Sequence, residues 1–375
     1  MSGLRPDVDP DGLMEFSVVF TDRSLNHMSA KFQGVMRDLN DTLRTVYGAH
    51  AVAIVPGGGT YAMESVARQF AGGAHALIVR NGLFSYRWSQ IFEAGGFAKE
   101  TTVVMARTAD NTARAPFAPP PIEDVVAKIR EVQPDYVFAP HVETSSGLIL
   151  PHTYIQAMAE AARDVGAMVV LDCVASGCVW IDMAETGVDI LISAPQKGWS
   201  ASPSAGLVML SAAAEERLAK TQSDSFSMDL KKWRSIMAAY EAGGHAYHGT
   251  MPTDALTGLR DAMAETKAHG FDAMTTAQWA LGNGVRAMLK EKGVASVAAD
   301  GFAAPGVVVS YTDDPDIQNG KKFAQEGMQI AAGVPLHVGE GDSFRTFRLG
   351  LFGLDKLTDV EGTIGRLRTV LDRVL

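Results

Sequence analysis

The stretch Asp189-Ile190-Leu191-Ile192-Ser193-Ala194-Pro195-Gln196-Lys197-Gly198-Trp199 is a short apolar run that delivers a lysine. Upstream, Met168-Val169-Val170-Leu171-Asp172-Cys173 is a second apolar run, and it ends in a carboxylate. Runs of this length that are apolar throughout predict strands covered on both faces. Ligands of open α/β sheets gather at the carboxyl ends of the strands, which is where Asp172 falls. A buried carboxylate needs a cation or hydrogen-bond donor opposite it. A desolvated lysine loses proton affinity and becomes nucleophilic. Singly, Asp172 reads equally well as a helix cap or turn acid, and Lys197 as a solvated surface lysine. Its neighbours Pro195, Gly198 and Trp199 are unlike a solvated charged face. An amine that can form a Schiff base, beside an acid that can keep a pyridine nitrogen protonated, is the pair that pyridoxal phosphate chemistry uses.

Outward from these runs the pattern alternates. Residues 28–47 carry Phe32, Val35, Met36, Leu39 and Leu43 on one helical face, stopped by Gly48. Ala51 to Val55 reads as a buried strand, followed by the turn Pro56-Gly57-Gly58-Gly59-Thr60 and a helix. Further strands are expected at 76–80, 101–105, 135–139, 168–173, 189–193 and 206–210, with helices at 122–133 and 151–165 among them. Strands alternating with helices predict an α/β fold with a mainly parallel sheet between helical layers. Pro116 to Pro121 reads as a surface connector. After about residue 268 the pattern becomes α+β. Helices are expected near 271–292, 318–331 and 359–373, and strands near 307–311 and 345–351. The expected division is 1–268 for the large domain and 269–375 for the small one.

The chain has 375 residues, 47% of them hydrophobic, and a net charge of −10. Length and apolar content allow a large core. The acidic balance, with no dense basic stretch, argues against nucleic acid or an anionic membrane surface as partner. No apolar run reaches the roughly 18 residues of a membrane span. The polar N-terminal stretch is unlike a secretory signal, so the cytoplasm is the expected location. The only cysteines, Cys173 and Cys178, are too few for a disulfide framework or a metal site of their own.

Three other positions carry chemistry or merely packing. Backbone N–H groups at a glycine-rich strand-to-helix turn can cradle a phosphate. Gly58, Gly59 and Thr60 suit that role, and a plain tight turn is the alternative. Gly57, Gly59 and Ala62 also fit the dinucleotide spacing, but the acid expected at the end of the next strand is missing from Leu77-Ile78-Val79-Arg80-Asn81-Gly82. Phe84 is either a core residue or a ring that stacks on a cofactor. Arg348, in the alternating run Phe344-Arg345-Thr346-Phe347-Arg348-Leu349-Gly350, is either half of an ion pair or a fork for a substrate carboxylate.

Taken together, the motifs make the chain resemble class V aminotransferases of the alanine/serine–glyoxylate type, enzymes of PLP fold type I. The resemblance runs from about residue 45 to the end. It rests on Gly57-Gly58-Gly59-Thr60 with Glu64, Asn81-Gly82-Leu83-Phe84, His141-Val142-Glu143-Thr144-Ser145-Ser146-Gly147 and Leu171-Asp172-Cys173-Val174-Ala175-Ser176. Gly187-Val188-Asp189-Ile190-Leu191, Gln196-Lys197, Tyr247-His248-Gly249-Thr250 and Phe347-Arg348-Leu349-Gly350 follow in the family's order.

The resemblance implies a pyridoxal 5'-phosphate aminotransferase. It would move an amino group from a small amino acid to a 2-oxo acid such as glyoxylate or pyruvate. It assigns the Schiff base and the proton shuttle to Lys197, and the pyridine nitrogen to Asp172. Phe84 stands where the stacking aromatic sits, often tryptophan. Gly58, Gly59, Thr60 and Gln196 match phosphate contacts, while Thr144 and Val174 fall beside the ring. Tyr247 and Thr250 match residues that serve the phosphate of the partner subunit's cofactor, implying a homodimer with shared sites. Arg348 matches the binder of the substrate α-carboxylate. Three departures bear on the substrate. The N-terminal proline/glycine loop is not evident in Glu15-Phe16-Ser17-Val18-Val19-Phe20, Thr60 replaces a histidine, and Phe84 replaces a larger ring. The competing expectations are a lyase or desulfurase of the same fold and a nicotinamide-dependent oxidoreductase.

Overall fold

A computed structural model describes residues 8–18, 22–110, 112 and 114–375. Of the N-terminal segment singled out above, Val19 and Phe20 lie outside the described residues. The core of the fold is a seven-stranded sheet. Its strands are β1 (Ala51–Pro56), β2 (His75–Arg80), β3 (Glu100–Met105), β4 (Tyr136–Pro140), β5 (Met168–Asp172), β6 (Ile190–Ser193) and β7 (Ala205–Leu210), in spatial order β1-β7-β6-β5-β4-β2-β3. The neighbours β6–β5, β5–β4, β4–β2 and β2–β3 pair in parallel. Only β7 runs against its neighbours β6 and β1. Strands β4 to β7 are buried at every residue, which is why they read as unbroken apolar runs rather than as alternation.

Helices cover both faces of the sheet. They include α1 (Ala30–Tyr47), α2 (Gly59–Phe70), α3 (Leu83–Gly95), α4 (Ile122–Val132) and α5 (His152–Asp164). The Ser29 hydroxyl accepts the N–H of Phe32 and so fixes the start of α1. Its buried stripe is the one the sequence implies: Phe32, Val35, Met36, Leu39 and Leu43. Three long helices come later: α6 (Leu230–Glu241), α7 (Thr253–His269) and α8 (Phe271–Glu291). Between α7 and α8 lies Gly270, at φ +90°.

After α8 the chain forms a second layer. Strands β8 (Val307–Tyr311), β9 (Ala331–Ala332) and β10 (Thr346–Gly350) make an antiparallel sheet in order β8-β10-β9. The last helix, α9 (Val360–Val374), packs on α8, and together with Leu281, Val285, Phe347 and Leu371 they build a separate apolar cluster.

Two expectations fail here. The helix expected over 318–331 is only Pro315–Gln318 and Lys321–Gln325, after which the chain enters β9. Gly320 at φ +81° and Gly327 at φ +74° stand in the left-handed region and break the helical path. The proline-rich stretch expected at the surface is packed instead. Phe117, Pro119 and Pro120 are buried, and Phe117 exchanges backbone hydrogen bonds with Val297 and Ala299 at 2.7 and 2.8 Å. No described helix is long and apolar enough to cross a membrane.

Candidate active site

Five chain segments converge at the carboxyl ends of β1, β2, β4, β5 and β6. They enclose a cavity of about 150 Å³ lined by Gly59, Thr60, Phe84, Thr144, Asp172, Val174, Gln196 and Lys197, with Met63, Arg87, Val142 and Ala175. Eight residues assigned from sequence motifs thus meet in one place, although they span 138 positions of the chain (197 − 59). The crossover connections of a parallel sheet cause this, because each brings the end of a strand back to the same edge.

Asp172 closes β5 and is buried. Its Oδ1 accepts the N–H of Val174 at 2.9 Å. No ion pair of Asp172 is found among the described residues. Burial raises its pKa to about 6, the Val174 N–H pulls the other way, and the charge of Glu143 adds to the rise. Such a carboxylate calls for a cationic or hydrogen-bond-donating group in the cavity beside it. Lys197 emerges four residues beyond β6, held by tight packing of its loop. A Cβ on Gly198 would meet the Gly177 carbonyl oxygen, and Trp199 is wholly buried against Trp180, ring centroids 4.6 Å apart. Burial lowers the lysine's proton affinity, and the Arg348 guanidinium lowers it further. Its Nζ lies 5.2 Å from the Phe352 ring centroid.

The glycine turn opens α2. Gly58 is its N-cap and offers no capping side chain. At Gly59 a Cβ would approach a Val174 methyl to 2.8 Å, so only glycine lets the turn lie this close to the end of β5. Phe84 and Arg87 lie one turn apart on α3. The Arg87 guanidinium carbon is 5.3 Å from the Phe84 ring centroid, and its Nη1 donates to Thr60 Oγ1 at 2.8 Å. Arg348, in β10, reaches in from the other layer. Its Nε donates to the Ala332 carbonyl at 2.8 Å and its guanidinium carbon is 5.8 Å from the Phe84 ring. The remaining guanidinium nitrogens make no ion pair among the described residues, leaving a fork for a carboxylate.

Glu143 carries the geometry beneath the site. It is fully buried, and its carboxylate accepts the N–H groups of Phe84 (3.2 Å) and Ser85 (2.8 Å). It also accepts the hydroxyls of Ser85 and Ser145, each at 2.7 Å. The carboxylate therefore caps α3 at the turn that presents Phe84. His141 is likewise structural. Its Nδ1 lies 2.7 Å from Ser176 Oγ, and burial holds its pKa down to about 3, so the ring is neutral.

Tyr247 and Thr250 are not in this cavity. They lie in a separate cleft with His27 and Met251, their hydroxyls 3.1 Å apart, and Tyr247 is 57% exposed. Arg87, Glu143, Met63 and Phe352 are the residues that motif reasoning left without a role. An arginine three residues after Phe84, one turn along the same helix, is the only sequence signal that could have drawn attention to Arg87. Nothing local marks Phe352, which arrives through tertiary packing. Cys173 and Cys178 are buried free thiols, and burial pushes Cys178 up to about 12 and Cys173 higher still. Neither is an exposed nucleophile of the kind a desulfurase needs. The end of β2 presents Arg80 and no acid, which removes the ribose contact of a dinucleotide site.

Residues 15–329 match the family model described as Aminotransferase class-V. The chain is 26% identical to a protein named soluble hydrogenase, small subunit, from Synechococcus sp., over 92% of this chain and 87% of that one. It is 27% identical to a 2-aminoethylphosphonate–pyruvate transaminase of Paraburkholderia phymatum, over 92% and 89% of the two chains. A solved structure of an alanine–glyoxylate aminotransferase from Nostoc sp. superposes with a TM-score of 0.76 at 22% identity, covering 92% of this chain and 89% of that one, and it shares the fold. This chain belongs to the class V aminotransferases, a family of pyridoxal phosphate enzymes.

Proposed function

We propose that the chain moves an amino group from a small amino acid to a 2-oxo acid such as glyoxylate or pyruvate, using pyridoxal 5'-phosphate at the cavity around Lys197. The observation that carries this reading is the convergence of a buried, unpaired Asp172 and a lysine of lowered proton affinity on one cavity. When bound, the cofactor supplies an aldehyde that condenses with amines and an electron-poor ring that stabilises negative charge at the substrate α-carbon. Asp172 holds a proton on the ring nitrogen. Phe84 would pack against the ring, and Val174 and Thr144, which line the same cavity, would border it. Gly58, Gly59, Thr60 and Gln196 receive the phosphate. Arg348 fixes the α-carboxylate and so aims the Cα–H at Lys197. The Lys197 amine, once free, would take that proton and deliver it to the cofactor's former aldehyde carbon, on the far side of the nitrogen. Phe84 and Phe352 help to keep water from the reacting atoms.

The same reading makes the protein a homodimer. Tyr247 and Thr250, remote from their own chain's cavity, serve the partner's phosphate. The exposed aromatics Phe226 and Tyr247, 80% and 57% accessible, support a covered surface there. A cytoplasmic location and a division into residues 1–268 and 269–375 belong to this proposal. The test is borohydride reduction of the protein incubated with pyridoxal phosphate, followed by peptide mapping. The pyridoxyl group should be on Lys197. Its recovery on Lys220 or any other lysine overturns the proposal.

A further inference from the structure

We infer that Arg87 is a cofactor-anchoring residue whose guanidinium neutralises the phosphate of pyridoxal phosphate, an inference that rests on the reading just given. A phosphate monoester near neutral pH carries close to two negative charges. The residues assigned to it so far, Gly58, Gly59, Thr60 and Gln196 of the same chain with Tyr247 and Thr250 of a second copy, are all uncharged near neutral pH. Lys197 is committed to the aldehyde and Arg348 lies in the other layer. Arg87 is the remaining cation lining the cavity. It is half-buried and makes no ion pair among the described residues. Its Nη1 is already tied to Thr60 Oγ1 at 2.8 Å, at the first turn of α2. Its plane is steadied 5.3 Å from the Phe84 ring. Phe84 in turn is set by the Glu143 carboxylate through its N–H at 3.2 Å. The guanidinium is therefore positioned beside the glycine turn, with donors free beyond the Thr60 bond, and a phosphate oxygen is the acceptor it can fork onto.

The experiment compares two ligands that differ only in the phosphate. Apo-protein, wild type and R87Q, is titrated with pyridoxal phosphate and with pyridoxal, following absorbance of the lysine adduct. R87Q keeps a donor for Thr60 and removes the charge. The expected result is at least about a tenfold loss of affinity for pyridoxal phosphate, the scale of a charge-assisted hydrogen bond, with pyridoxal changed by less than about threefold. R87K should recover part of the loss by restoring the charge. Equal weakening of both ligands would make Arg87 a purely structural brace and overturn the assignment. Unchanged cofactor affinity with a raised KM for the 2-oxo acid alone would overturn it in favour of a substrate contact. If the wild type itself takes up neither ligand at Lys197, the aminotransferase reading fails and this assignment with it. A wild type that binds normally beside an R87Q protein that binds equally well disproves the role of Arg87 alone.

Discussion

Replacing Asp172 with asparagine should make the cofactor-free protein more stable at alkaline pH while disabling the enzyme. The carboxylate is buried, accepts one N–H, and has its pKa raised from 3.8 to about 6. The folded state thus holds its proton more tightly than the unfolded chain does. Stability from this group is fully present below the unfolded value and is lost as pH rises from about 4 through about 6. A shift of about two units corresponds to about 3 kcal/mol of destabilisation at pH 8, shrinking to about 1 kcal/mol near pH 4.5. The asparagine of the variant keeps an oxygen for the Val174 N–H and carries no charge at either pH. With an unfolding entropy of about 2.1 cal/mol/K per residue, 3 kcal/mol moves the Tm of a chain this long by about 4 °C. Differential scanning calorimetry of both apo-proteins at pH 4.5 and 8 measures this. The variant should gain about 4 °C at pH 8 and little more than about 1 °C at pH 4.5. Adding pyridoxal phosphate should reverse the order, because a cationic ring nitrogen compensates the aspartate and not the asparagine. Turnover should fall about a thousandfold, the equivalent of about 4 kcal/mol in the barrier. An equal stability difference at both pH values, or activity within tenfold of wild type, would refute the argument.

Arg348→Lys should raise KM for both amino donor and 2-oxo acid by about tenfold or more, since lysine cannot reproduce the planar fork. Cofactor absorbance should stay normal, and a variant that loses the cofactor yet handles substrate normally once reloaded would move the carboxylate site elsewhere, with Arg345 the next candidate. Mixing chains inactivated by Lys197→Ala with chains altered at Tyr247 and Thr250 should restore measurable activity, because one site in each hybrid then has all its intact parts. No recovery in purified hybrids would argue for sites built within single chains.

The two apolar runs, one ending in Asp172 and one leading to Lys197, were legible from sequence alone as buried strands that carry an acid and an amine at their ends. Continuous burial leaves an unambiguous hydrophobic pattern, and a charged residue at the end of such a run has few structural uses. The glycine turn and Phe84 were equally visible as positions, but only the tertiary structure brings Gly59, Thr60 and Phe84 to one cavity with Asp172 and Lys197. Tertiary structure alone decided four things. It broke the expected 318–331 helix at Gly320 and Gly327, whose positive φ outweighs a helical pattern of side chains. It buried the proline-rich stretch, because Phe117 pairs with residues some 180 positions away (297 − 117) and no local window contains that contact. It gave Glu143 its place beneath Phe84, spanning 59 positions of sequence. It set Arg87 at the cavity through a bond to Thr60, and it brought the Phe352 ring beside the Lys197 amine. Sequence records what each segment buries and where it turns. Which side chains from distant segments share a hydrogen bond depends on the crossing of helices over the sheet, and that is fixed only when the whole core closes.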